Sequence, residues 1–197
     1  FLMIRRPPRS TLFLYTTLFR SRDPKRTMNN NIITNFRKMI DVNTPIICIQ
    51  DYDFARIDEL IKEVIGTKNV YEWNPATGTT DFRTKEAKRI SDTEEPLDSF
   101  LSRFAECEDI RAIDKYLVLK DVQDYVNESP GGTGYLDTVK TKIKTQLQLI
   151  AQRRLYDRSY STTVVLVSSC IHLPQELDKY ASYLDIAFPE DDEIIDL

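Results

Sequence analysis

Tyr116-Leu117-Val118-Leu119-Lys120-Asp121 is an apolar run closed by a lysine and a carboxylate. An unbroken apolar run of this length predicts a strand buried on both faces, as in a parallel sheet. Ligands of such sheets gather at the carboxyl ends of the strands. Two acidic residues at that place can hold Mg²⁺ and polarise an attacking water. Here Lys120 takes the first acidic place, and its charge repels a divalent cation. The strand has the outline of nucleotide chemistry without the charges that chemistry needs.

Before this strand, Ile46-Ile47-Cys48-Ile49 follows Pro45 and reads as a buried first strand. Asp51 or Asp53 can then cap a helix whose face is Phe54, Ile57, Leu60, Ile61 and Val64, with Gly66 at its C-terminal stop. Val70-Tyr71-Glu72-Trp73 is a second strand, ended by Asn74-Pro75. Residues 76–95 are polar and hold no periodic pattern, so they read as a loop or excursion. Leu97, Phe100, Leu101 and Phe104 give a short helix before the strand that ends at Lys120.

After it, Ser129-Pro130-Gly131-Gly132-Thr133-Gly134 is a flexible connection. A long helix over 135–155 buries Leu136, Val139, Ile143, Leu147 and Ile150. Its other face carries Lys140, Lys142, Lys144, Arg153 and Arg154 and reads as solvated. Thr163-Val164-Val165-Leu166-Val167 is a fourth strand. Leu184-Asp185-Ile186-Ala187-Phe188 is a last one, closed by Pro189 and followed by an acidic helix start. This alternation predicts an α/β fold: a doubly wound, mostly parallel sheet of about five strands with helices on both faces.

Composition narrows the function classes. The 197 residues are 41% hydrophobic and 29% charged, which suits one α/β domain. No run approaches the roughly 18 apolar residues of a membrane span, so no membrane partner is expected. Cys48, Cys107 and Cys170 are odd in number and scattered, which argues against a disulfide framework and for a reducing, cytoplasmic setting. His172 is the single histidine, so a multi-histidine metal site is excluded. Residues 1–27 carry seven basic side chains against Asp23, a charge of +6, which leaves −10 of the net −4 on the remainder. An acidic body is poorly suited to a phosphate backbone, and no nucleic acid is expected.

Residues 1–22 read FLMIRRPPRSTLFLYTTLFRSR. They are Arg-rich and free of acids like a transit peptide, but Pro7-Pro8 breaks any amphipathic helix. The string resembles the peptide translated from sequencing-adapter DNA, whose usual form has Pro where Leu14 stands. Residues 1–27 are therefore expected to be an artefactual or disordered leader, with Met28 the native start and 28–197 the domain proper.

The order of elements from Pro45 onward resembles the core of an AAA+ ATPase. In that core the third strand carries the acidic pair, the fourth ends in a polar sensor residue, and the fifth ends in proline followed by acids. Leu117 to Asp121, Val164 to Ser169, and Ile186-Ala187-Phe188-Pro189-Glu190-Asp191 are similar to these three. More narrowly, Leu119-Lys120-Asp121, Ile171-His172-Leu173-Pro174-Gln175-Glu176-Leu177 and Leu184-Asp185-Ile186-Ala187-Phe188-Pro189 resemble the hypothetical-chloroplast-reading-frame family of AAA+ ATPases, found in plastids and many bacteria. Its members carry a degenerate nucleotide-binding-like N-terminal domain ahead of an intact AAA module. The resemblance makes Lys120 and Asp121 the degenerate acidic pair and Ser169 the degenerate sensor.

Other chemistry has weaker support. A P-loop needs glycines, a lysine and a Ser/Thr. After the first strand the chain offers Gln50-Asp51-Tyr52-Asp53-Phe54-Ala55-Arg56, with two carboxylates where phosphate oxygens would sit. The Gly131–Gly134 cluster precedes a helix but follows the wrong strand and lacks the lysine. Asp121 could act as a lone general base with Lys120 as its ion-pair partner. Ser168 and Ser169 could hydrogen-bond a water. Cys170 and His172, two apart, could share a face, but nucleophilic catalysis needs a third orienting group.

The expectation is a non-catalytic regulatory or docking domain, with no catalytic, cofactor or metal residue of its own. ATP and Mg²⁺ would belong to the parent protein, and its downstream AAA module would be the partner, with oligomerisation through that module. A small-molecule or nucleotide-binding α/β module without a P-loop, or a free-standing hydrolase on Asp121 or Cys170, are the alternatives.

Overall fold

Val118, Val165 and Ile47 lie abreast at the centre of a six-stranded sheet, each fully buried. The computed structural model describes residues 30–51, 53–87, 95–106, 115–127 and 135–186. The leader, Cys107, the 131–134 glycines and the acidic run after Pro189 lie outside the described residues. The described elements, in chain order, are α1 (Asn30–Asp41), β1 (Ile46–Gln50), α2 (Phe54–Val64), β2 (Val70–Asn74), β3 (Gly78–Asp81) and α3 (Leu97–Ala105). They continue with β4 (Lys115–Lys120), α4 (Gln123–Val126), α5 (Tyr135–Tyr156), β5 (Thr162–Ser168), α6 (Gln175–Asp178) and β6 (Ala181–Leu184).

The strand order is β3-β2-β4-β5-β1-β6, and every pairing is parallel except β2 with β3. Both faces are covered, as a parallel sheet requires. Side chains alternate, so Leu117, Leu119, Val164, Leu166, Ile46 and Cys48 pack with α3, α4 and α5. Val118, Val165, Val167, Ile47 and Ile49 pack with α1 and α2 on the other side. Each fully buried aliphatic side chain contributes about 1.5–3 kcal/mol. The mostly parallel α/β sheet expected from the sequence is present.

Local chemistry sets the element ends. The Asp53 carboxylate accepts the Arg56 amide at 3.1 Å and caps α2. At its other end Gly66 takes φ +86, the left-handed conformation glycine adopts without strain, and donates to the Ile61 carbonyl at 3.2 Å. On α5, Ile143, Leu147 and Ile150 are buried as their spacing predicted. Gln146 fastens α5 to α3, donating to the Asp98 carbonyl and the Ser102 hydroxyl at 3.0 and 2.7 Å.

Two expectations need correction, and one element was not foreseen. The 76–95 stretch is not all loop: Gly78–Asp81 forms β3, a hairpin partner of β2, which gives six strands among the described residues. Gly-Thr-Thr-Asp has no apolar side chain to signal a strand, and its turn is set by Asn74, whose side-chain oxygen accepts the amides of Ala76 and Thr77. The last described strand is Ala181–Leu184, ahead of the predicted 184–188, of which 187 and 188 lie outside the described residues. The β1 ladder fixes it there, because Ile46 donates to the Tyr180 carbonyl and then pairs with Ala181. Finally, α1 precedes the first predicted element and buries Ile32, Ile33 and Phe36 against α2 and β6.

Candidate functional site

Lys120 ends β4 on the α2 side of the sheet, and its side chain is only 7% exposed. Its ammonium lies 2.8 Å from Asp58 of α2 and 3.1 Å from Glu72 of β2. Lys85, beyond β3, reaches the same two carboxylates, at 2.8 Å to Asp58 and in direct contact with Glu72. Two cations and two anions thus form a closed cluster. The Phe54 ring, from the first turn of α2, stands 5.4 Å from the Lys120 nitrogen. Burial alone would push the Lys120 pKa down, but the hydrogen bond to Asp58, the charge of Glu72 and the remaining contacts of the pair outweigh it and hold the pKa above the ordinary 10.5.

The alternative in which Lys120 pairs with Asp121 is not what forms: Lys120 pairs with Asp58 and Glu72. Asp121 adopts φ +54, a left-handed turn that aspartate tolerates, and its amide extends the ladder to the Val167 carbonyl at 2.9 Å. Sequence reading missed Asp58, Glu72 and Lys85 because each lies on a different element. The available signal was the polar side chain at a buried face: Asp58 beside Ile57, and Glu72 between Tyr71 and Trp73.

At the start of α2, where phosphate-binding loops present free amides, this chain uses its own carboxylates. Asp51 accepts the Asp53 amide at 2.9 Å, and Asp53 in turn accepts that of Arg56. The first helical amides therefore face fixed negative charge.

Ser168 and Ser169 part company. Ser168 is fully buried at the end of β5, and its hydroxyl accepts the Val122 amide at 3.0 Å, locking the chain beyond β4 to β5. Ser169, the expected sensor position, is exposed. Ser168→Ala should leave the buried Val122 amide without this acceptor and cost about 1–3 kcal/mol in urea unfolding. Ser169→Ala should lie within about 0.5 kcal/mol of the parent chain.

Cys170 and His172 are both exposed. Asn127 clamps their backbone, donating to the Cys170 carbonyl at 3.2 Å and accepting the His172 amide at 2.8 Å. Gln50 from the end of β1 adds a bond to the Ile171 carbonyl between them at 3.1 Å. The polar groups around this segment are thus spent on holding its backbone. The other described cysteine, Cys48, is buried in β1, and burial, aided by Asp178, pushes its thiol up to about 12. Among the described residues, no group of three or more His, Cys, Asp and Glu could hold a metal, and no helix is long and apolar enough to cross a membrane.

The family model of the SpoVK-like AAA ATPase N-terminal domain matches residues 32–186 of this chain. The chain belongs to that family. No curated protein matches the sequence. Among solved structures, a chain of the HORMA:CdnC:Trip13 complex from E. coli MS115-1 superposes with a TM-score of 0.55 at 8% identity, covering 85% of this chain and 66% of that one. This SpoVK-like domain thus spans just under two thirds of its structural neighbour, and at that identity the likeness is one of fold. Two Drosophila ORC structures, bound to DNA and bound to AT-rich DNA and Cdc6, give TM-scores of 0.44 and 0.43 at 10% identity. They cover 84% of this chain and 98% and 59% of theirs.

Proposed function

We propose that residues 28–197 are a catalytically silent docking and regulatory domain of an AAA+ ATPase whose ATP-hydrolysing module lies downstream. The observation that carries the reading is the Lys120 ammonium, buried and ion-paired at the strand end where the nucleotide chemistry would need an acid. A Mg²⁺–nucleotide does not fit these residues. Two cations already neutralise Asp58 and Glu72, and Asp53 holds a helix amide that a phosphate would need. Two unit charges of like sign at about 4 Å repel by about 4 kcal/mol near a protein surface. Mg²⁺ and ATP then belong to the parent protein, and Lys120, Asp121 and Ser169 are degenerate counterparts of working positions.

The narrower likeness to the hypothetical-chloroplast-reading-frame ATPases supports the same arrangement, as does the family's own description as an N-terminal domain. The partner in this reading is the downstream module, any oligomer forms through that module, and the setting is cytoplasmic.

Calorimetric titration of the chain with MgATP at millimolar concentration should give no saturable heat; a saturable isotherm sinks the silent-site reading. The regulatory part is tested on the complete gene product. ATP turnover with and without residues 28–197 should differ. Identical turnover, with no association between the separately expressed parts, would leave recognition of another partner as the better account.

A further inference from the structure

The turn after β3 is bonded chiefly to the end of that edge strand. Asp81 accepts the amides of Arg83 and Thr84 at 2.9 and 3.1 Å, and its backbone exchanges bonds with Lys85 and Glu86 at 2.7 and 2.9 Å. Thr80 bridges to Ala87 across the same turn. These bonds all run to Thr80 and Asp81 at the end of β3, so they survive if the turn moves together with that strand end. Among the described residues, two of its side chains reach past β3 to the body. Phe82 is buried in the core cluster on the α1 and α2 face, with Lys62 of α2 6.0 Å from its ring centre, and Lys85, in the left-handed conformation at φ +60, spans Asp58 and Glu72. The Lys85 nitrogen also lies 3.9 Å from the Phe82 ring centre, so the two anchors support each other.

The anchoring is unequal across the cluster. Lys120 comes from a central strand and is 7% exposed, whereas Lys85 comes from the edge of the sheet and is 35% exposed. With Lys85 neutral, Lys120 alone faces two carboxylates, and the surplus negative charge draws water in. The part free to yield is the edge turn, since β4 is fixed by ladders on both sides.

We infer that residues 82–87 are a strap that the charge of Lys85 latches over the Asp58–Glu72–Lys120 cluster, and that neutralising Lys85 opens this edge while the remaining fold persists. The device is independent of the nucleotide question, because it rests on the ion pairs and the turn alone.

The test is lysine acetylation with an N-hydroxysuccinimide ester on the whole chain, read by mass spectrometry, with alkylation of buried Cys48 as the report of global opening. In the Lys85→Gln chain, Lys120 labelling should rise by about tenfold or more while Cys48 alkylation stays within about twofold, the signature of sub-global opening. Lys85→Arg, which keeps the charge, should leave Lys120 protected. In the unaltered chain, Lys120 should be acetylated on molecules already acetylated at Lys85, a readout that stands even if the Lys85→Gln chain does not fold. Unchanged Lys120 labelling in Lys85→Gln overturns the inference. So does a joint rise of Lys120 and Cys48 labelling, or Lys120 acetylation independent of Lys85 in the unaltered chain.

Discussion

Replacing Lys120 by methionine should destabilise the domain by about 3–5 kcal/mol, the scale seen when one partner of a buried ion pair is removed. Methionine has the right length to fill the space, so the cost falls on Asp58 and Glu72, left with Lys85 alone. The measurement is urea unfolding, and its control is the double variant Lys120→Met with Glu72→Gln. If the uncompensated charge is the cause, the second change should recover part of the loss, giving a coupling of about 0.5–3 kcal/mol. Additive losses would point to packing instead. The same interaction fixes an alkaline limb. Because the folded pKa of Lys120 is raised above 10.5, its stabilisation is complete below that pH and is lost as pH climbs through the folded value. Lys120→Met should therefore flatten the fall in stability above about pH 10.5.

Phe36→Ala should cost about 3–5 kcal/mol, a large part of the roughly 5–15 kcal/mol that holds a domain of this kind. The ring is fully buried on α1, between Ile32, Ile33 and the α2 face, and a cavity at that place cannot be filled from solvent. Val42, one residue beyond the same helix and 72% exposed, is the internal comparison. Val42→Ala should stay within about 0.5 kcal/mol. A small effect at Phe36 would mean that α1 is an appendage and that the sheet face beneath it is stable uncovered.

The elements that were legible in the sequence are those with a strong local signal. The 116–119 run, the Asp53 cap with Gly66 at the far end, and the Ile143-Leu147-Ile150 spacing each carry their structure within a few residues. Gly78–Asp81 carries none, because an edge strand of glycine and threonine is made by its partner's ladder. The last described strand begins three residues before the predicted one for a related reason: pairing with β1 sets Ala181–Leu184. At the candidate site the basic end of β4 was legible in Lys120, but its partners were not. Asp58, Glu72 and Lys85 meet only through the fold, and ion pairs between distant residues leave no periodic trace.

The closed cluster also bears on how such a domain could change over time. Putting an acid at the end of β4, as Lys120→Asp would, does not create a cation site in one step. It sets three carboxylates around the single ammonium of Lys85, so the intermediate is worse than either end. A working site would need Asp58 or Glu72 neutralised and the Asp53 cap given up as well, several codons changing together. Each change weakens the fold when made alone, so the lysine at this place is held against replacement by an acid.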